Sequence, residues 1–125
     1  MIKKIDVILV DPFLNTIIKT EIDDSLESLQ HSIGDHYIEM VAIDDEDIMY
    51  VDSEGLYREN QEFFVLHYEG FKVPLAGKAV ILGNDMINGK TIGTKSNVTD
   101  FIGRITFHHK VELQQMAQRG EFTPK

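Results

Sequence analysis

The stretch that decides the fold lies between residues 37 and 85. Its apolar runs read YIEMVAI at residues 37–43, IMYVD at 48–52, FFVLHY at 63–68 and GKAVILGND at 77–85. Such short runs of β-branched and aromatic residues, bounded by Gly, Asp and Asn, are typical of sheet strands. In the first run, Tyr37, Val41 and Ile43 can share one strand face. The centre of the chain is therefore predicted to form a sheet, although residues 63–66 fit a helical turn equally well.

Two β-branched runs precede this stretch and predict a β-hairpin. They cover residues 2–10 and 15–22, and Asp11 and Pro12 stand between them. Proline fixes φ and lacks a backbone donor, so the first strand should end there. The second run can then pair back on the first.

A short helix is predicted after this hairpin. Asp24 is the expected N-cap, with Glu27 in the capping-box position three residues later. Leu26, Leu29 and Ile33 are expected on one helical face, and Gly34 is the expected C-terminal stop.

The last third of the chain predicts a second hairpin and two helical segments. Asn88-Gly89 is a type I′ turn signal that would join residues 79–82 to residues 91–94. Asn97 or Thr99 could cap a short helix over residues 100–102. A C-terminal helix is expected from His108 to Arg119, with Gly120 ending it.

The order of these elements predicts a single α+β domain over residues 1–125. It has a mainly antiparallel sheet, a short helix after the first hairpin and a C-terminal helix. At 125 residues with 42% apolar residues the chain can bury one core. It contains no Cys and no apolar run of about 20 residues, so we expect a cytoplasmic protein without a membrane span.

The charge is divided unevenly between the two halves of the chain. Residues 1–69 carry −13 and residues 70–125 carry +4, within a total of −9. Direct nucleic-acid binding is not expected, because a chain of this charge repels phosphates and has no basic stripe. The run Asp44, Asp45, Glu46 and Asp47 lacks the length and glycine of a calcium loop. It is expected to form a solvated acidic face.

A glycine-rich segment supplies the best candidate for anion binding. Its backbone amides, hydroxyls and lysines resemble those of phosphate sites, with Arg104 as the nearest guanidinium. The candidate ligand residues are Asn84, Lys90, Thr91, Thr94, Lys95, Asn97 and Arg104. A P-loop is excluded because no glycine stands five residues before Gly89, where the first glycine of that motif would be. A plain hairpin tip explains the same residues.

The sequence offers no catalytic or metal-binding motif. The five histidines lack the H-E-x-x-H spacing, and no serine has a nucleophile-elbow context. We therefore expect no catalytic residues, no metal and no cofactor. His108 and Glu112 could share a helical face, which leaves a small hydrolase using His108 and His109 as a minor alternative.

Several short motifs resemble those of an uncharacterised family of small bacterial and phage proteins. They are the I-E-x-V strand at residues 38–41, the E-G-L turn at 54–56, Asn60, and G-x-A-V-I-x-G at 77–83. Ser53 stands where the family often has an acid, and residues 57–60 depart from its L-P-x-N pattern. The family has no assigned activity. The resemblance implies an accessory protein of phages and mobile elements, a class that often acts against host defences.

Two functions follow as expectations. The first is a non-enzymatic accessory protein that binds a small ligand, most concretely a nucleotide-signal sponge, in a pocket within one chain or across a homodimer interface. The second is an acidic inhibitor or DNA mimic that binds a host enzyme. The second predicts a salt-sensitive complex, because exposed charges are screened within about 10 Å at 0.1 M salt.

Overall fold

The computed structural model describes residues 3–44, 46–85 and 90–122. The elements in chain order are β1 (Lys4–Asp11), β2 (Thr16–Asp23), α1 (Leu26–Ile33), β3 (Ile38–Ala42), β4 (Asp47–Asp52), a 3₁₀ turn (Gly55–Tyr57), β5 (Phe63–Tyr68), β6 (Phe71–Ala76), β7 (Ala79–Asp85), β8 (Lys90–Ile92), α2 (Thr99–Ile102), β9 (Ile105–His108) and α3 (Lys110–Gln118). The predicted α+β class is confirmed, with a short helix after the first hairpin and a C-terminal helix. The FFVL run lies in strand β5.

The strands form two antiparallel sheets. The larger sheet has the order β2-β1-β7-β4-β3, with β8 also pairing with β7, and the smaller has the order β6-β5-β9. The predicted antiparallel character is thus confirmed. The sheet divides because β5 pairs with β6 and β9, whereas β4 pairs with β3 and β7.

The main core lies between the two sheets. Ile8, Met49 and Ile81 of the larger sheet share a buried cluster with Phe64 and Leu66 of the smaller one. Alternate residues of a strand face opposite sides. Burial of each such side chain contributes roughly 1.5–3 kcal/mol.

The opposite face of the larger sheet is covered by α1. Val7, Val80 and Leu82 of the sheet pack there with Leu29 and Ile33 of the helix. Leu29 and Ile33 therefore form the buried face of the helix as predicted, whereas Leu26 was wrongly included in it and is 61% exposed.

The residues that flank helix α3 are linked to the smaller sheet by two ion pairs. Phe63 and Val65 alternate with core residues of β5, so they face outward, yet both are buried. Ion pairs tie both ends of this region to the sheet, with His109 Nδ1 at 2.8 Å from Glu62 and Lys72 Nζ at 2.8 Å from Glu121. Met116 is the buried residue of the helix.

The predicted start of α1 is wrong by one residue. Ser25 is the N-cap, because its Oγ accepts the Ser28 amide at 3.1 Å. The Asp24 amide instead donates to the Lys3 carbonyl at 2.8 Å, which ends the β1–β2 hairpin. The predicted stop is confirmed, since Gly34 has φ +113° and closes the helix.

The second hairpin is real but its register differs from the prediction. Gly83 pairs with Ile92 and Asp85 with Lys90. Residues 79–82 pair with β1 and β4, because β7 is a central strand. The predicted Asn88-Gly89 turn lies outside the described residues.

Both predicted C-terminal helices form, but the predicted start of the second is wrong, because His108 ends β9, His109 is the N-cap and α3 begins at Lys110. Helix α2 begins after Val98 without a side-chain cap, whereas Asn97 and Thr99 were the predicted caps. Gly120 follows α3 with φ +71°. None of the helices in the described ranges has the length and apolar character needed to cross a membrane.

Candidate functional site

The glycine-rich segment forms a small cleft, which we call the loop cleft. Its volume is about 170 Å³, and its lining includes Glu46, Asp47, Asn84, Lys95 and Ser96. Two carboxyl groups therefore face one lysine. Because negative groups outnumber positive ones, the charge of this cleft does not favour the binding of an anion.

The polar groups of the loop cleft are largely occupied by one buried carboxylate. Asp47 accepts the Thr94 hydroxyl at 2.8 Å on Oδ1 and the Ser96 hydroxyl at 2.6 Å on Oδ2. Lys19 Nζ donates to the Ser96 carbonyl at 2.9 Å. These bonds fix the segment after β8 against β4 and β2.

Two glycines allow the close backbone contacts behind this cleft. A Cβ at Gly83 would lie 2.6 Å from the Gly93 carbonyl oxygen, and a Cβ at Gly93 would lie 3.1 Å from the Asp6 amide. Such spacing excludes a side chain at Gly83 without a shift of the backbone. The contacts of these glycines indicate close packing of the backbone rather than a loop that binds phosphate.

The structure brings only some of the predicted anion ligands together. Asn84 and Lys95 line the loop cleft, while the Thr94 hydroxyl is turned to Asp47. Asn97 is exposed, and its amide donates to Asp100 at 2.7 Å. Lys90 and Thr91 lie in β8, but their side chains are outside the described part of the structure.

Arg104 is directed elsewhere. Its Nη1 lies 3.6 Å from Asp44 Oδ2, and its guanidinium lies 5.6 Å from the centre of the Phe101 ring. It is not among the residues that line the loop cleft. A pocket that encloses a drug-sized ligand measures roughly 300–1,000 Å³. Nucleotide binding at this segment stays a prediction.

The predicted acidic face is only partly exposed. Asp44 and Glu46 are exposed, and Asp45 lies outside the described residues. The interpretation of Asp47 as a solvated residue is wrong, because its side chain points between the sheets at the start of β4 and is buried. Asp44 Oδ1 accepts the amides of Glu46 and Asp47, each at 2.8 Å, so it also shapes the turn.

A larger groove runs beside helix α1, and we call it the α1 groove. Its volume is about 1390 Å³. One wall is α1 with the residues that follow it, and the other contains Glu54 and Arg58 around the 3₁₀ turn. Leu26 and Tyr37 line it and are 61% and 83% exposed. This open shape suits an extended segment better than an enclosed small molecule.

A buried carboxylate organises one wall of the α1 groove. Asp52 ends β4, is 6% exposed, and accepts both the Nε and the Nη2 of Arg58, the latter at 3.2 Å. The Glu54 amide also donates to Asp52 Oδ1 at 2.9 Å. His36 Nε2 lies 3.7 Å from Asp52 Oδ2.

These contacts change the acidity of Asp52. Burial raises its pKa, but the hydrogen bonds from Arg58 and the Glu54 amide and the charge of His36 outweigh burial, so the pKa lies below the ordinary value. Asp52 therefore stays ionised and holds the Arg58 guanidinium in place.

The rest of the α1 groove is mainly acidic. Asp23 pairs with Lys4 at 2.8 Å and Asp35 with His31 at 3.2 Å. Glu27 and Glu54 add two further exposed carboxylates to the lining. The rim thus carries more carboxylates than permanent cations.

The sequence analysis missed this groove. His36, Asp52 and Arg58 have no recognisable spacing, because a chain reversal through β3 and β4 brings them together. The glycine of the E-G-L motif was the one sequence signal of close packing at this groove wall. In the structure a Cβ at Gly55 would lie 2.8 Å from the Ala76 carbonyl oxygen. That close contact places the 3₁₀ turn beside Asp52.

The histidines near the C-terminus form a separate chain of contacts. Thr106 Oγ1 lies 3.3 Å from His67 Nε2 and 2.8 Å from His108 Nε2. His108 Nδ1 lies 3.7 Å from Glu112, but the predicted shared helical face is wrong, because His108 belongs to β9 and α3 begins at Lys110. Across residues 3–44, 46–85 and 90–122, no three His, Asp or Glu side chains are placed to hold a metal ion.

The fold is a small α+β domain of two antiparallel sheets. A family model described as a domain of unknown function, DUF3846, matches residues 3–106, and the chain belongs to this family. Helix α3 lies outside the matched range. No curated protein and no solved structure matches the chain.

Proposed function

We propose that this chain is a non-catalytic binding protein whose α1 groove receives a basic segment of a partner protein. The observation that carries the proposal is the combination of an open groove of about 1390 Å³ with a mainly acidic rim. The protein acts by occupying the basic segment of its partner, as expected of an inhibitor.

The shape of the groove supports a peptide-like ligand. Two exposed apolar side chains, Leu26 and Tyr37, lie among polar ones in the lining. Exposed aromatic residues with a polar rim are common in protein interfaces.

The charge supports a basic ligand. The exposed Glu27 and Glu54 belong to the half of the chain that carries −13. Such a field raises the rate at which cationic partners associate and makes the complex salt-sensitive.

The proposed setting is the host cytoplasm, where a phage or mobile element would use the protein against a host factor. The support is the resemblance of the motifs at residues 38–41, 54–56 and 77–83 to those of small phage and bacterial proteins. A partner of this kind would be a basic host protein.

Site-specific photo-crosslinking tests the proposal. A benzophenone amino acid replaces Tyr37 in the groove or, as the control, Phe71 on the smaller sheet, which is 47% exposed. We expect crosslinking to basic proteins of a bacterial lysate from position 37 alone, lost on adding about 0.5 M salt, where the Debye length falls below about 5 Å. Equal crosslinking from both positions, or a salt-insensitive product, contradicts the proposal.

A nucleotide-like ligand at the loop cleft is the second proposal, supported by the exposed Lys95 and by Asn84 in its lining. A thermal-shift panel of linear and cyclic nucleotides tests it, because a ligand that binds only the native state raises Tm. Lys95→Ala should remove the shift, and Arg104→Ala should keep it. No shift for any nucleotide ends this proposal.

A further inference from the structure

We infer that Arg58 and His36 form a receptor for a single carboxylate in the α1 groove, and that the bound basic segment ends there with its C-terminal α-carboxylate. The inference rests on the proposed function, since it identifies the end of the segment for which the groove is proposed. The evidence is the way in which Asp52 contacts the Arg58 guanidinium and the His36 ring.

Asp52 fixes the direction of the Arg58 guanidinium. Nε and Nη2 both donate to the Asp52 carboxylate. A guanidinium is planar and has five N–H donors, so the three that remain lie on Nη1 and on the far side of Nη2. In the described ranges these three donate to no other residue, and Arg58 lines the groove.

His36 lies at the same carboxylate, near the oxygen that also accepts the Arg58 Nε–H. Its Nε2 lies 3.7 Å from Asp52 Oδ2, and its ring packs on Gly34, where a Cβ would lie 3.3 Å from His36 Cδ2. The other ring nitrogen, Nδ1, makes no hydrogen bond to a described residue. Its side chain is 33% exposed and lines the same groove.

The surrounding charges select the kind of anion. Arg58 and His36 stand among Glu27, Asp35 and Glu54. A ligand with several negative charges, such as a nucleoside triphosphate, would be repelled by these carboxylates. A ligand with one carboxylate and several cations would match both parts of the groove, and a basic C-terminal segment has this composition.

The neighbouring residue offers a place for the last side chain of such a segment. Tyr37 follows His36, is 83% exposed and lines the groove. Its carbonyl accepts the Ser53 amide at 2.9 Å, so its backbone is fixed to β4. An apolar or cationic side chain can lie on this ring.

The test compares hexalysine with a free C-terminus and hexalysine amide, each titrated into ¹⁵N-labelled protein and followed by NMR. The amide carries one positive charge more, so an acidic groove without a carboxylate receptor binds the amide more tightly. If the groove contains a carboxylate receptor, the free acid binds more tightly than the amide. We expect the free acid to bind about tenfold more tightly, as a charge-assisted hydrogen bond provides.

Two variants assign the effect to the receptor. His36→Gln leaves the Asp52–Arg58 pair intact and should reduce the preference for the free acid about threefold. Arg58→Lys keeps the positive charge but loses the paired N–H donors of the planar guanidinium, so it should remove the preference. Arg119→Gln is the matched control, because Arg119 lies beside Glu121 after α3. The ratio of two affinities within one folded variant is insensitive to its stability.

The outcomes separate the inference from the proposed function. Equal or tighter binding of the amide overturns the carboxylate receptor and leaves the basic-segment groove standing. If neither peptide shifts the resonances of residues that line the groove, the proposed function fails and the receptor fails with it. Acetate alone binding as tightly as the free peptide would assign the receptor to small carboxylic acids and overturn its assignment to a protein C-terminus.

Discussion

The Thr94 hydroxyl donates to Asp47 Oδ1 at 2.8 Å, and both side chains are buried. The bond joins the start of β4 to the segment after β8, across 47 positions of sequence. The Ser96 hydroxyl donates to the other oxygen of the same carboxylate at 2.6 Å. One acidic residue thus anchors the segment that follows β8.

Replacing Asp47 should destabilise the protein. Asp47→Ala leaves two hydroxyls without their acceptor, and we expect a loss of about 2–3 kcal/mol in the free energy of unfolding. Urea denaturation followed by circular dichroism measures the loss. The exposed Glu21→Ala is the control and should stay within about 0.5 kcal/mol. Thr94→Val combined with Asp47→Ala should be clearly non-additive, and additivity would show that the two side chains do not interact.

Two glycines should respond very differently to the same substitution. A Cβ at Gly83 would lie 2.6 Å from the Gly93 carbonyl oxygen, whereas a Cβ at Gly103 would have no neighbour within 4 Å. Gly83→Ala forces backbone apart in the centre of the larger sheet, so it should cost about 1–3 kcal/mol. Gly103→Ala should stay within about 0.5 kcal/mol of wild type. Thermal unfolding compares them, and equal Tm values would contradict the close packing of β7 on the segment after β8.

The architecture follows from local patterns that the sequence displays openly. The apolar runs at residues 48–52 and 77–85 lie in strands β4 and β7. This agrees with their central position, because a central strand is apolar on both faces. Gly34 ended α1 because a left-handed residue stops a helix. Strand β9 at Ile105–His108 was not predicted, since four residues are too short a run to show a clear period and His108 was assigned to the C-terminal helix.

The sites were much harder to predict than the strands. Asp47 read as part of an exposed acidic run, because only the pairing of β4 with β7 shows that its side chain faces inward. Arg104 lies close in sequence to the loop cleft but pairs with Asp44. His36, Asp52 and Arg58 come together through β-sheet pairing, which a single sequence does not report.

The N-cap of α1 can be checked by a pair of adjacent substitutions. Ser25 Oγ accepts the Ser28 amide at 3.1 Å, so Ser25→Ala should cost about 1 kcal/mol of unfolding free energy. Asp24→Ala should cost less, because the Asp24 contact with Lys3 uses its backbone amide, which alanine keeps. Urea denaturation of both variants decides between them. A larger loss of unfolding free energy for Asp24→Ala would show that Asp24, and not Ser25, caps the helix.

The stability of the protein should fall in acid, partly through Asp52. Burial raises the Asp52 pKa, but Arg58, the Glu54 amide and His36 lower it more, so the folded state holds the proton less tightly than the unfolded state. The contribution of Asp52 is therefore fully present above the ordinary Asp pKa of about 3.9 and is lost as pH falls through the folded pKa. Asp52→Asn should lower stability at neutral pH and flatten its decline below about pH 4.

Urea denaturation at a series of pH values measures both effects, with Ser53→Ala as the neighbouring control that carries no titratable group. Asp52→Asn also leaves Arg58 without its charged partner, so the preference for free-acid hexalysine should weaken in the same variant at neutral pH, because the guanidinium is no longer held in one direction. A variant that kept the wild-type pH slope would show that Asp52 is not the group that Arg58 and His36 stabilise. A flattened slope with an unchanged peptide preference would separate the stability of the groove wall from its role in binding.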